Sequence, residues 1–285
     1  ELFSHYRLHY GLVAAIALAA AIAIRRWRMA GVAALLVVAN ATFAVPSMLA
    51  DPPAVPESGP RLRALFVNIQ YGNEDYAALR GLVQELQPDV LAISEVSEAW
   101  IEALSDLLVD YPHRVVRPRA DSFGIALWSR VPLDRARVTY PTKEGTPVVE
   151  ADVRVGDQRL RLYFLHVVPP INERWAERRN DLLMEVARSA AEVDTPIVVC
   201  GDFNLTPWSP WFDEVLHVGR LTDARLGFGL QPSWPSVLGP LGIPIDHCAV
   251  RGVTPVDLRI ERAVGSDHRP LFVEVVLGAA SLTSP

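Results

Sequence analysis

Five apolar stretches in this sequence are each interrupted, at one end of a predicted strand or just inside it, by a polar side chain suited to acid–base or metal chemistry. They are Phe66-Val67 before Asn68, Leu91-Ala92-Ile93-Ser94 before Glu95, Tyr163-Phe164-Leu165 before His166, Val198-Val199-Cys200-Gly201 before Asp202, and Ile245 before Asp246. A sixth polar point, Ser266-Asp267-His268, precedes the last such run. Alternate side chains share one face of a strand, so Asp202 and Asn204 are expected to enter one pocket while Phe203 turns back into the core. Singly, each has an ordinary reading: Asn68 as a turn cap, Glu95 as a helix start, His166 as a satisfied core histidine, Asp246 as a paired carboxylate. An Asp-x-Asn after a strand is also a common turn. Collectively they say more, because buried carboxylates in such number repel one another unless a cation or an imidazolium offsets them.

The runs alternate with helical periodicity. Strands are predicted at Leu62–Ile69, Val90–Ser94, His113–Arg117, Gly124–Ser129, Arg135–Tyr140, Val148–Val155, Arg159–Leu165, Pro196–Cys200, Ile245–Val250 and Leu271–Val276. Helices are predicted at Tyr76–Leu86, Glu98–Leu108, Asn172–Ala191 and Ser209–Leu216. Within the long one, Arg178-Arg179-Asn180 reads as a solvated face. Helices interleaved with many antiparallel-looking strands suggest an α/β or α+β layered sandwich. The domain so defined runs from 61 to 277, with a tail at 278–285.

The first fifty residues are different in kind. Two apolar runs, about 8–24 and 29–49, flank Arg25-Arg26-Trp27-Arg28, and no acid lies between Glu1 and Asp51. The first is near the short limit of about 17 residues for a spanning helix, and the second reaches the usual length of about 20. Together they predict a transmembrane helical hairpin. Its positive charges follow the first apolar run, which is the wrong order for a cleaved signal peptide. The positive-inside rule puts the arginine turn in the cytoplasm and everything after Ala50 outside, giving a multi-pass cell-membrane protein with an extracytoplasmic domain. Glu1 is not an initiator methionine, so the chain reads as cut from something longer, and a further spanning segment upstream would explain how its start comes to lie outside. Residues 51–60 form a Pro-rich linker.

Of the charged residues, 23 of the 27 Lys and Arg and 30 of the 33 Asp and Glu follow Gly59, so the domain carries a net charge of −7. That balance offers no broad basic surface for a phosphate backbone and makes nucleic acid the less favoured partner. Cys200 and Cys248 are too few for a disulfide framework, and each lies in an apolar run; they read as buried thiols on core strands.

The ordered set Asn68, Glu95, His166, Gly201-Asp202-Phe203-Asn204, Asp246 and Ser266-Asp267-His268 resembles the endonuclease/exonuclease/phosphatase superfamily. The resemblance covers residues 61 to 277. It implies a four-layer sandwich of two packed mixed β-sheets flanked by helices, with the site at one end of the sheets. It also implies a Mg²⁺ ion, with Mn²⁺ as a substitute, held by Glu95 with Asn68 near it and Asp267 contributing. A hard cation of this kind takes few carboxylates and keeps several waters. By the same resemblance Asp202 orients or deprotonates a water and Asn204 fixes its position. His166 and His268 donate to phosphoryl oxygens, and Asp246 holds the His268 ring. The family's further tyrosine or asparagine that reaches the phosphate has no clear equivalent at Ser122-Phe123-Gly124. Trp208 and Trp234 are candidates to line the rim around the leaving group, with packing or membrane contact as alternatives.

The Thr206-Pro207-Trp208-Ser209-Pro210 segment is similar to one in the superfamily's membrane-anchored bacterial branch, thought to act on polyprenyl pyrophosphates. The expected activity is hydrolysis of a phosphate ester or pyrophosphate of a lipid or lipid-linked substrate. The bilayer is the expected partner and no obligate protein partner is implied. A nuclease acting on DNA or RNA and a catalytically silent scaffold are the alternatives.

Overall fold

The computed structural model describes residues 2–278, so most of the predicted C-terminal tail lies outside the described residues. A one-turn helix α1 (Leu2–His5) leads into α2 (Arg7–Ala23) and α3 (Trp27–Leu49), which pack side by side as a hairpin. Their contact is made of small side chains: Ala14, Ala21, Ala30 and Ala33 are buried, and Gly11 faces Asn40. No helix among the described residues is long and apolar enough to cross a membrane. The α2 helix has 17 residues, about 26 Å at 1.5 Å per residue. The α3 helix is longer but includes Asn40, Thr42, Pro46 and Ser47. The hairpin is thus present, and its predicted passage through a bilayer is not a feature of the fold itself.

Residues 50–60 have no regular secondary structure. Pro52 crosses Gly227 so closely that a Cβ there would sit 2.2 Å from the proline Cα, at a φ of +89°. Glycine is the residue that permits both the approach and the backbone angle.

The strands then follow as β1 (Arg61–Asn68), β2 (Val90–Ser94), β3 (His113–Arg117), β4 (Ile125–Ser129), β5 (Leu133–Thr139), β6 (Val148–Val155), β7 (Gln158–His166), β8 (Ile197–Asp202), β9 (Thr222–Asp223), β10 (Asp246–Arg251), β11 (Thr254–Ile260) and β12 (Leu271–Val276). They form two six-stranded sheets, ordered β11-β12-β1-β2-β4-β3 and β5-β6-β7-β8-β10-β9. The pairs β1–β2 and β7–β8 are parallel, and every other pair in the two sheets is antiparallel.

Alternation along each strand builds the layers. Leu62, Ala64 and Phe66 of β1, Leu160, Leu162 and Phe164 of β7, and Val198 and Cys200 of β8 point between the sheets. The odd-numbered residues of β1 and β2 pack outward on α4 (Tyr76–Leu86) and α5 (Glu98–Ala103). Those of β8 pack on α6 (Glu173–Ala191) and α7 (Pro210–Gly219). The result is two mixed sheets packed face to face with helices on both outer faces.

Three expectations are corrected. The helix foreseen at Glu98–Leu108 breaks after Ala103 and resumes as a 3₁₀ turn at Leu107–Asp110. The strand β11 had no counterpart in the sequence reading. It lies at a sheet edge and carries Pro255 beside a register shift, a composition that edge strands tolerate. Finally, Cys200 and Cys248 are disulfide-bonded rather than free thiols. They sit directly opposite each other on antiparallel β8 and β10, and both point into the inter-sheet core.

Candidate active site

The polar residues at the strand ends are the last inward-facing positions of their strands. Asn68 is two residues beyond Phe66, His166 two beyond Phe164, Asp202 two beyond Cys200, and Asp246 two before Cys248. All four therefore point between the sheets at the edge where the apolar filling ends. The topology brings these ends together. The parallel pair β7–β8 puts His166 opposite Asp202, and antiparallel β10 puts Asp246 on the other side of Asp202. A Cβ on Gly201, whose φ is +138°, would meet the Leu165 carbonyl oxygen at 1.9 Å. Only glycine lets β7 and β8 approach closely enough for that row to form.

Asp202 is the centre. It is buried, and its Oδ2 lies 3.5 Å from His166 Nε2, 3.6 Å from His268 Nε2 and 3.3 Å from Asn68 Nδ2. Asn204 donates its backbone N–H to Asp202 Oδ1 at 2.9 Å and its Nδ2 to Oδ2 at 3.2 Å. The two side chains share a pocket, but not through strand alternation as the sequence suggested. The strand stops at Asp202, and Asn204 turns back with a left-handed φ of 47° while Phe203 is buried behind it. His268 Nδ1 is 2.8 Å from Asp246 Oδ2. Its loop is pinned by Ser266, whose Oγ donates to the Asn68 carbonyl at 2.7 Å and accepts the His268 N–H at 3.0 Å.

Burial raises the Asp202 carboxyl to about 6, with the Asp246 charge adding to it and the two histidines opposing. For His268, burial pushes the imidazolium down, but the charges of Asp246 and Asp202 and the Asp246 hydrogen bond outweigh it and lift it to about 10. His268 is thus held as a cation, and Asp202 sits within reach of neutrality.

Glu95 follows β2 with a φ of 62°, a left-handed angle uncommon for a residue with a Cβ. Its Oε2 accepts the Tyr71 backbone N–H at 2.7 Å, and Oε1 lies 3.7 Å from His166 Nε2. Asn68 Oδ1 accepts the Gln70 N–H at 3.0 Å. His166 Nδ1 is buried with no hydrogen-bond partner among the described residues, and the Phe123 ring stacks on the imidazole at 6.2 Å.

Two sets of atoms could hold a cation. Oxygen and nitrogen atoms of Asp202, Asp246 and His268 lie within 4.8 Å of one another. In that set Asp246 Oδ2 also carries the hydrogen bond to His268 Nδ1. Glu95 and Asn68 offer one carboxylate and one carboxamide oxygen with lone pairs to spare, a donor set suited to a hard ion that keeps most of its waters. Both sets carry oxygens suited to a magnesium-like cation, two carboxylates in the Asp-Asp-His group and a carboxylate and a carboxamide at Glu95 and Asn68.

The predicted residues do not all converge. The Asp267 carboxylate accepts the Trp234 indole N–H at 3.0 Å, so these two engage each other beside His268. Trp208 is buried and lines a cavity of about 490 Å³ together with Phe212, Asp223 and Arg225, none of them a predicted site residue.

Arg179 was misread as part of a solvated face. It is fully buried, donating from Nη1 to the Asn204 carbonyl at 2.9 Å and from Nε and Nη2 to Asn180 Oδ1 at 3.0 and 2.7 Å. The signal was available, since Arg179 continues the buried stripe of Leu182, Leu183, Val186 and Ala190 at helical spacing. Ser233 was also missed as a support; its Oγ accepts the backbone N–H groups of Ile245 and Asp246, both at 3.2 Å.

Two face-to-face mixed sheets with an acid–histidine cluster at one end define a four-layer sandwich hydrolase class. The chain belongs to the endonuclease/exonuclease/phosphatase family, whose profile matches residues 65–268. Solved structures share the fold at low identity. One is TDP2 of D. rerio with a single-strand DNA product, at 19% identity and a TM-score of 0.64 over 75% of this chain and 98% of that one. Another is a family protein of Bacteroides thetaiotaomicron, at 17% identity and a TM-score of 0.64 over 78% and 99%. A third is a functionally unknown conserved protein of Enterococcus faecalis, at 14% identity and a TM-score of 0.64 over 76% and 100%. None of the curated proteins matches the chain significantly.

Proposed function

We propose that the chain is a metal-dependent phosphoesterase that hydrolyses a phosphate ester or pyrophosphate of a lipid or lipid-linked substrate outside the cytoplasm. The observation that carries the phosphoesterase reading is the convergence on Asp202 of His166, His268, Asn68 and Asn204, with Glu95 bordering His166. A divalent cation held by Glu95 and Asn68 would neutralise charge on a non-bridging phosphate oxygen. In this reading Asp202 would take a proton from the attacking water, and the Asn204 carboxamide would orient it. His268, kept cationic by Asp246, and His166 are placed to donate to phosphoryl oxygens, where charge must be held as the ester breaks. Asp267 and Trp234 form the adjoining rim. A cleft of about 460 Å³ is lined by Tyr71, whose N–H bonds Glu95, and by Glu74, Ser97, Glu98, Trp100 and Arg119.

The lipid reading rests on the hairpin. Leu12, Val13, Ile16, Val32 and Leu35 are each more than half exposed on helices that meet through alanines. Apolar side chains outward with small ones at the seam suit an apolar solvent rather than water. We therefore retain membrane anchoring as a proposal, the short α2 being accommodated by local bilayer thinning. The buried Cys200–Cys248 disulfide supports an oxidising compartment and hence the extracytoplasmic side. The test is a phosphate-release and lipid-product screen on detergent-solubilised protein with Mg²⁺, Mn²⁺ or EDTA. Metal-dependent product absent from an Asp202→Ala control supports the reading; no lipid product with any metal overturns the substrate class.

A nuclease is the second reading, favoured by the fold shared with the DNA-bound D. rerio protein. Metal-dependent nicking of supercoiled plasmid, lost in Glu95→Ala, would establish it.

A further inference from the structure

Between Arg225 and Asp246 the chain runs for 20 residues without one charged side chain, in a domain otherwise rich in charge. The stretch includes a 3₁₀ segment at Ser236–Leu241, kinked at Gly239, where Val237 is 89% exposed, Leu241 57% and Leu238 47%. Exposed apolar residues grouped within one short loop mark a contact surface rather than ordinary scatter.

The turn is tied to the active site. Ser236 donates its backbone N–H to the Asp267 carbonyl and its Oγ to the Ser266 carbonyl, both at 2.7 Å. Arg269 donates its N–H to the Ser233 carbonyl at 2.9 Å. The loop therefore moves as one piece with the segment that carries His268. It also touches the hairpin: His9 Nε2 lies 2.7 Å from the Leu241 carbonyl oxygen, and Leu8 and Leu12 line a small cavity with Pro240 and Leu241. Leu8 and Leu12 of α2 thus adjoin the tip's Pro240 and Leu241.

The geometry points to the Pro235–Gly242 tip as a membrane-docking loop that seats the mouth of the active site on a lipid surface. It rests on the membrane reading above and adds to it the orientation of the domain. A bilayer is the occupant the surface fits. Three projecting side chains cover far less than the roughly 800 Å² per partner that a stable protein interface needs. They suffice to steer a domain that the adjoining apolar helices already hold beside the membrane. The uncharged stretch also spares the cost of bringing ionised groups to the acyl boundary.

The test uses the full chain with an NBD fluorophore on Val237→Cys and, separately, on Val109→Cys. Val109 is exposed and lies in the segment leading into β3, whose first residue is at the opposite end of the sheet from Glu95. In phosphatidylcholine–phosphatidylglycerol vesicles containing 5-doxyl lipid, the probe at 237 is expected to shift to the blue and be quenched, and the probe at 109 to do neither. An unquenched probe at 237 on vesicle-bound protein overturns the docking loop, even if lipid hydrolysis is observed. Quenching at 237 without hydrolysis of any lipid phosphate leaves the loop standing and overturns the substrate class instead. In the activity arm, Val237→Asp with Leu238→Asp should lose about tenfold on a vesicle-borne phosphodiester through lost surface residence, with hydrolysis of soluble bis(p-nitrophenyl) phosphate unchanged. Equal losses on both substrates, or none on either, would count against docking.

Discussion

Replacing Arg179 by Met tests whether the catalytic turn is held from behind. The side chain is fully buried on α6 and reaches past the helix to the Asn204 carbonyl. Methionine fills similar space but donates nothing. Two acceptors, the Asn204 carbonyl and Asn180 Oδ1, would then lose their guanidinium donors. Each stranded buried acceptor costs about 1–3 kcal/mol, so the destabilisation should come to about 4 kcal/mol. At about 2–4 °C per kcal/mol for a domain of this size, Tm should fall by roughly 10 °C. Because this contact supports the Asn204 turn beside its bonds to Asp202 and Val167, kcat should fall while KM changes little. Thermal unfolding followed by circular dichroism, with phosphodiester turnover below the transition, measures both. A Tm within 2 °C of wild type (less than about 1 kcal/mol) together with unchanged kcat would refute the supporting role. Arg179→Lys, which keeps the charge but not the fork, should fall between the two.

Further outcomes concern the site itself. Asp202→Ala or His268→Ala should lower turnover by at least about 10² with the fold retained, as read by steady-state kinetics beside circular dichroism; near-normal rates in either would remove the proposed mechanism. His268 is raised in the fold, so the stability it contributes is complete below its unfolded value near 6.5 and is lost as pH climbs towards about 10. Metal-free protein should therefore lose Tm across that window, and His268→Gln should lack that slope. Below it, His247, pushed down to about 4 chiefly by burial, loses stability as pH falls, while Asp202, raised to about 6, gains it. These two oppose, so the acid side should be comparatively flat between pH 6 and 4. Reducing the Cys200–Cys248 bridge in unfolded protein, or replacing Cys248 by Ser, should lower stability by about 2–4 kcal/mol, measured by urea titration with and without reductant; no change would argue against the bridge.

What could be read in the residues was decided by periodicity. Asn68, His166, Asp202 and Asp246 each break an apolar alternation at its last inward place, and that is where the folded chain needs polar groups. Arg179 obeys the same rule on a helix, but its charge outweighed its position in the reading. Long-range facts were less accessible. Cys200 and Cys248 are 48 residues apart, and only the register of β8 against β10 brings them face to face. Trp208 and Trp234 illustrate the same difficulty: both are aromatic and near site motifs in sequence, yet one is buried beside Phe212 and the other bonds Asp267. The β11 strand was hidden by Pro255 and by charged alternate positions, which an edge strand can leave to solvent.

The central claim is that a cation and the ester it polarises are held between the ends of two sheets, with the metal on the Glu95 side and the proton-transfer groups around Asp202. The most direct measurement is the anomalous difference map of a crystal soaked in Mn²⁺. A peak at coordination distance from a Glu95 carboxylate oxygen and beside Asn68 Oδ1, abolished in Glu95→Ala, is the predicted result. A peak enclosed by Asp202, Asp246 and His268 would contradict the account, since it would put the metal on the groups to which proton transfer is assigned.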